Sequence, residues 1–185
     1  VFNCYIGFGN FSIVNSVPAD VRIETYVRAK TMEAIEATHK KVDTALKAGG
    51  DAVGAQTVIA TMPGQLPLAC NNRLNELFVT NAKIAEPNVA VKDAGHFSAS
   101  TDMGDVSHLL PVIHPFIGGV DGFLHTADFH VVDFKHAVLL PAKAFAMMII
   151  DLLADDAELA RQIKAEHHPL LTKEEYIAKL DKYFQ

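Results

Sequence analysis

No uninterrupted stretch of about 18 apolar residues, the usual length for a membrane span, runs through this sequence. The most apolar segment, AVLLPAKAFAMMIIDLL, is broken by Pro141 and Lys143, so no membrane span is expected. Cysteine is scarce. Cys4 and Cys70 make no disulfide framework and have no metal-ligand spacing, and reduced, structural thiols are the expectation. Basic residues are outnumbered by acidic ones, 16 to 22, for a formal net charge of -6. A nucleic-acid surface needs clustered Lys and Arg, so none is expected. The opening VFNCYIGFGNFS has neither a basic leader nor a small-residue cleavage site, and it does not read as a secretory signal. It has no initiator Met and already looks like a strand, which either processing or a boundary inside a larger protein explains. The expectation is a soluble, acidic, cytoplasmic protein.

What is present is enough apolar residue, 50% of 185, to bury a sizeable core in one ordinary domain or two small ones. Val1 to Phe8 reads as a strand. After a Gly9-Asn10 turn, VNSVPADVRIETYVRA offers a second, with Val21, Ile23, Thr25 and Val27 on one face and Arg22, Glu24, Tyr26 and Arg28 on the other. Thr31 caps a helix carrying Met32, Ile35, Val42 and Leu46 at the 3.6-residue period, and Gly49-Gly50 is the expected stop. DAVGAQTVIATM reads as a third strand. The resulting β-β-α-β unit is a small α/β sandwich that looks incomplete at its N-terminus, because one helix covers three strands poorly.

MPGQLPLACNN is the expected linker. A helix from Asn72 to Ala85 follows, with Leu74, Leu77, Phe78 and Ile84 inward. Asp133 is the expected N-cap of a long helix over Phe134 to Leu153. That helix is apolar nearly all round and therefore expected to be buried on several sides, with Pro141 a kink or a boundary between helical segments. Thr172 and Glu175 stand in capping-box spacing at the head of a last amphipathic helix, where Glu175 is expected to pair with Lys179.

Between these helices lies GHFSASTDMGDVSHLLPVIHPFIGGVDGFLHTADFH, Gly95 to His130, with five of the nine histidines and little regular period. His125 follows an apolar GFL that reads as a short buried strand delivering an imidazole to a strand end. There it is either a zinc ligand or a satisfied, partly buried histidine. SASTDMGDVSH is either a self-bonded polar loop or a set of amides and hydroxyls for a substrate carboxylate or an oxyanion. His96, His108 and His114 have no regular metal spacing; His130 and His136 are left as groups behind the site or on the surface, and His167-His168 as solvated. Taken alone, Arg28 is a solvated residue or a member of an ion pair.

Several of these segments together resemble a known family. VNSVPADVRIETYVRA is similar to the NVIPxxxxxxxxVR signature in the lid, or dimerisation, domain of the di-zinc amidohydrolases and carboxypeptidases of peptidase clan MH. STDMGDVSHLLPVIHPFIGG followed by LHTADF resembles the end of that family's catalytic domain, nearest the branch of the aminobenzoyl-glutamate hydrolase B subunit. The resemblance implies an α/β fold, with a lid portion at 1–62 and the C-terminal portion of a metallohydrolase catalytic domain at 63–185. It implies that Asn15 and Arg28, thirteen residues apart, bind substrate, with Arg28 on the carboxylate. Ser100 and Thr101 would line the pocket, and His125 would ligate one of two zinc ions (manganese or cobalt being the other candidates). It also implies a homodimer through the lid and a small, carboxylate-bearing amide as substrate: an N-acyl amino acid, a dipeptide or an aminobenzoyl-glutamate.

The departure from the family pattern is equally specific. The family's other metal ligands, its bridging carboxylate and its general-base Glu precede the lid, and this sequence holds no His-x-Asp motif. One histidine does not make a catalytic zinc site, which takes about three protein ligands. The expectation is the C-terminal portion of an amide-hydrolysing metalloenzyme, inactive in isolation. The alternatives are a non-catalytic dimerisation or binding module and one subunit of a two-chain hydrolase.

Overall fold

The computed structural model describes residues 2–8, 21–93, 95 and 99–182. The chain divides into two compact units, one of 1–67, 96–101 and 177–185, the other of 68–95 and 102–176. The architecture mixes helices with small antiparallel sheets, compatible with a mixed α/β class.

In the first unit, β1 (Phe2–Phe8) pairs antiparallel with β2 (Val21–Val27), with Phe2 opposite Val27 and Phe8 opposite Val21. Helix α1 (Met32–Ala52) begins where expected: Thr31 has extended backbone, and its hydroxyl accepts from the Ala34 amide at 3.3 Å. The expected stop at Gly49-Gly50 is overturned. Both glycines lie inside the helix, which ends instead at Gly54 with φ +72°. The Val53 and Gly54 amides turn back onto the Gly50 and Asp51 carbonyls, so the left-handed residue that closes the last turn is the third glycine. The third strand expected over 51–62 is also absent. Among the described residues 55–62 pair with nothing in a ladder, and Val58 and Met62 are exposed. A pleated pattern makes a strand only where a partner edge is available.

The second unit is built on α2 (Asn72–Ala85) and α4 (Leu140–Glu166). Asn71 caps α2, its side-chain oxygen accepting from the Leu74 amide at 3.0 Å, while its own amide donates to Val112 at 2.8 Å. Leu74, Phe78 and Ala82 meet Ala144, Met148 and Ile163 in one buried cluster. Each large side chain so buried contributes roughly 1.5–3 kcal/mol. The Phe78 and Phe145 rings lie 4.9 Å apart. Arg73 at the head of α2 pairs with Glu166 at the tail of α4 at 2.6 Å, and Glu86 just past α2 pairs with Lys135. Ile84, expected inward, is exposed. Asn81 takes the inward place at 2% exposure, donating to the Leu77 carbonyl and to Asp151.

The start of the long helix follows from Asp133 and Pro141. Asp133 accepts from the His136 amide at 3.1 Å, which is the expected cap. Pro141 has no N–H for the Ala137 carbonyl. The preceding turn, Lys135–Leu139, widens to π geometry, with the Leu140 amide reaching five residues back to Lys135. The proline therefore marks a boundary between two helical segments. The helix continues past Leu153 to Glu166, but its path breaks at 154–157, where Asp155, Asp156 and Ala157 have φ of +49°, +59° and +58°. Burial on several sides is overturned: Leu140, Ala144 and Met148 are buried, while Ile149, Ile150 and Leu153 are 55%, 67% and 63% exposed. By length and composition alone, Lys135–Glu166 is apolar enough to cross a membrane.

Helix α5 (Lys173–Asp181) opens with the expected capping box: the Thr172 amide donates to Glu175 at 2.7 Å and the Glu175 amide to the Thr172 hydroxyl at 3.2 Å. The expected Glu175–Lys179 pair is replaced. Glu175 is held by the cap, which keeps its carboxyl below the usual glutamate range, and Lys179 reaches Glu36 at 3.6 Å.

Two substitutions test this backbone. Left-handed φ costs a non-glycine residue roughly 1 kcal/mol, so Ala157→Gly is expected to stabilise the protein by about that much. In a regular helix the same change destabilises by about 1 kcal/mol, so the sign of the shift in urea midpoint decides whether the break exists. At Gly119, φ is +90° and an added Cβ would stand 2.6 Å from the Asp133 carbonyl and 2.7 Å from the Ala137 amide. Gly119→Ala is expected to cost roughly 2 kcal/mol or more in the same measurement.

Candidate functional site

The segment from Ala99 to His136 carries most of the chemistry-bearing residues expected from sequence. It is less irregular than its composition suggests. Helix α3 (Met103–Ser107) lies inside the STDMGDVSH run, and β3 (Val120–Asp121) pairs with β4 (His130–Val131) in a short hairpin. Ser107 is buried at 1%; its hydroxyl donates to Gly104 at 2.6 Å and accepts from Ala69 at 3.0 Å. That hydroxyl is consumed in folding α3 onto the chain entering α2. Ser100 is exposed and Thr101 half-buried.

His125 stands at the tip of the hairpin, in a turn and exposed, with φ +66°. The buried GFL strand expected before it is not there: Phe123 is 80% and Leu124 56% exposed. The turn is built by local bonds. The Thr126 hydroxyl lies between the Phe123 carbonyl, at 2.6 Å, and the Asp128 carboxylate, while the Gly122 amide donates to Asp121 at 2.9 Å. A Cβ at Gly122 would fall 2.5 Å from the Asp128 carbonyl, so the crossing of the hairpin needs glycine there. The Val132 and Asp133 amides both donate to Gly119 at 3.0 Å, which ties the hairpin to the head of the long helix.

Arg28 lies one residue beyond β2, half-buried, with its guanidinium 5.0 Å from the centroid of the Tyr26 ring. The ring face holds the planar cation by a cation–π contact. Asn15, the other residue of the pair, and His96 lie outside the described residues. Arg28, Ser100 and Thr101 belong to the first unit and His125 to the second.

The remaining histidines sort by environment. His108 is buried at 5%, and its carbonyl accepts from Leu171 at 3.0 Å. His114 buries its Nδ1 without a hydrogen-bond partner and packs edge-on against Phe116. His130 sets Nδ1 2.6 Å from the Asp128 carbonyl. His136 sits 2.6 Å from Asp133, whose carboxyl is held below the usual range, first by that side-chain bond and then by the His136 amide. His167, expected to be solvated, buries Nε2 instead.

Among the described residues no three His, Cys, Asp or Glu side chains come together as a metal-binding group. The residues present therefore do not fit a zinc centre: His125 is a single exposed donor on a turn, and a catalytic zinc takes about three protein ligands.

No family model matches the chain, and no solved structure matches it. The curated Xaa-Arg dipeptidase of Mus musculus is 29% identical to it over 153 residues, covering 78% of this chain and 36% of that protein. The chain thus spans about a third of the length of this relative. The likeness agrees with the sequence resemblance at its coarse level, that of a peptidase.

One residue outside this group is tied to the STDMGDVSH segment. Tyr176 on α5 is pushed above the usual phenol range, first by burial and then by the charge of Asp105, whose carboxylate accepts its hydrogen bond. A raised folded-state value gives stability that is complete below the unfolded value, near pH 10, and is lost as pH rises through the folded one. Wild-type stability is expected to fall more steeply above about pH 10 than that of Tyr176→Phe, as read from paired urea titrations.

Proposed function

We propose that this chain is the C-terminal portion of a metal-dependent amidohydrolase or peptidase that cleaves an amide bond in a small, carboxylate-bearing substrate. The observation that carries the reading is the likeness to a dipeptidase over 78% of the chain. Support comes also from the Asn15/Arg28 spacing and the STDMGDVSH…LHTADF order, which resemble the di-zinc family, nearest its aminobenzoyl-glutamate branch. In this reading Arg28 grips the substrate carboxylate, because its planar fork offers two parallel donors to two oxygens. The Tyr26 ring limits the rotamers of that fork, so less freedom is lost on binding. Asn15, Ser100 and Thr101 contact the substrate, and residues 1–62 form a lid that pairs two copies. A zinc ion bound in the complete enzyme, with its other ligands and the general base on polypeptide outside this chain, would provide the water-activating chemistry. His125 adds one ligand to that set.

The second reading, one subunit of a two-chain hydrolase, is favoured by the same lack of a ligand cluster among the described residues. In both readings the isolated chain is inactive.

Three measurements test the proposal. The purified chain, dialysed against zinc and analysed by atomic absorption, is expected to retain no stoichiometric metal; one tightly held zinc per chain would refute the assignment of the other ligands elsewhere. In the complete enzyme, Arg28→Ala is expected to lower kcat/KM for carboxylate-bearing amides by roughly 10²–10³, the loss expected for a charge-assisted pair of about 3–4 kcal/mol. An unchanged value would remove Arg28 from the site. His125→Ala in the complete enzyme is expected to lower both zinc content and turnover, and retention of both would show that it is not a ligand.

A further inference from the structure

We infer that Tyr176 is a positioning residue: together with Leu171 it clasps the STDMGDVSH segment and holds it in the geometry that receives substrate. That the segment meets substrate belongs to the proposed function, on which this role rests.

Helix α3 has five residues, too few to persist by itself, since an isolated helix needs about 12–15. Its N-cap, Asp102, makes no side-chain capping bond. The place of α3 therefore depends on bonds that reach it from elsewhere in the chain. From the stretch entering α2, the Ala69 amide donates to the Ser107 hydroxyl at 3.0 Å. From the approach to α5, the Leu171 amide donates to the His108 carbonyl at 3.0 Å, and the Tyr176 hydroxyl donates to the Asp105 carboxylate. Ser107 and His108 stand at the C-terminal end of α3, and their bonds locate that end. Asp105 lies in the first turn. The phenol bonded to it acts on the head of the helix, the end that continues through Asp102 to Thr101 and Ser100.

The start of α5 is built to keep that phenol in place. Thr172 and Glu175 cap each other, and the Tyr176 amide donates to the Thr172 carbonyl at 3.0 Å. The backbone is thus bonded at Leu171 to the exit of α3 and at Tyr176 to the cap. The bond from phenol to carboxylate is charge-assisted, roughly twice as strong as one between neutral groups. Ala69, α3, Leu171 and Tyr176 all belong to one compact unit.

Loosening the head of α3 spreads the substrate contacts over more positions and leaves the bond-breaking step untouched. Loss of such uniform binding raises KM and spares kcat. Loss of folded protein does the reverse, lowering the apparent kcat at constant KM, so the split separates positioning from stability alone.

Two readouts test the role. In the full chain, Tyr176→Phe is expected to speed hydrogen exchange at the Val106 and Leu109 amides roughly tenfold, the effect of losing a hydrogen bond to a charged group, with the α2 amides unchanged. In the complete enzyme the same variant is expected to raise KM for carboxylate-bearing amides by about three- to tenfold, with kcat within about twofold of wild type. Asp105→Asn keeps an acceptor and should stay near the wild-type KM, whereas Asp105→Ala should match Tyr176→Phe. The double variant Tyr176→Phe/Asp105→Ala should be no worse than either single change. If Tyr176→Phe fails to fold, Asp105→Ala set against Asp105→Asn reads the same bond from its other side. Unchanged exchange at Val106 and Leu109, or additive effects in the double variant, overturns the inference. Amide cleavage at the wild-type KM in Tyr176→Phe sinks the positioning role and leaves the proposed function intact. Faster exchange in a chain whose complete enzyme cleaves no amide sinks the proposed function and leaves the clasp standing.

Discussion

The contact between α2 and α4 is the constraint on which the second unit depends. Ala144, with no exposed surface, lets the two helices approach closely, and Leu74, Phe78 and Met148 fill the space around it. Apolar packing alone is tolerant of sliding by a turn. Asn81 removes that tolerance, because its buried amide must find acceptors and does so at Leu77 and Asp151. A register shift would strand that amide in an apolar contact. The ion pairs at the two ends, Arg73–Glu166 and Lys135–Glu86, agree with the same register; each has at least one exposed partner and contributes little to stability.

The polar segment is hung from this frame at defined backbone bonds. Ser107 joins α3 to the chain before α2, the His108 carbonyl holds Leu171 on the approach to α5, and Gly119 closes the hairpin onto the head of the long helix. Pro141 and Asp133 determine where that head lies: one forbids a regular turn and the other caps it. Each of these positions is local chemistry with a long-range consequence. The hairpin tip carrying His125 is braced locally, by the Thr126 hydroxyl on the Phe123 carbonyl and the Asp128 carboxylate.

The sequence by itself determined the features whose cause is local. The cap at Thr31, the bounds of α2, the cap at Asp133, the boundary at Pro141 and the Thr172–Glu175 box each depend on residues within one or two turns, so pattern and spacing suffice. The tertiary structure decided the rest. Gly54 rather than Gly49-Gly50 ends α1, because glycine is tolerated in a helix and the stop depends on which residue goes left-handed. The strand expected over 51–62 lacks a partner edge among the described residues. Ile84 and Asn81 exchange roles because the direction from which α4 approaches is absent from the periodicity of α2. His125 lies on an exposed turn and not at a buried strand end, since an apolar GFL is buried only when another surface comes to cover it. Local chemistry is written in neighbouring residues; burial is a property of what arrives from elsewhere in space.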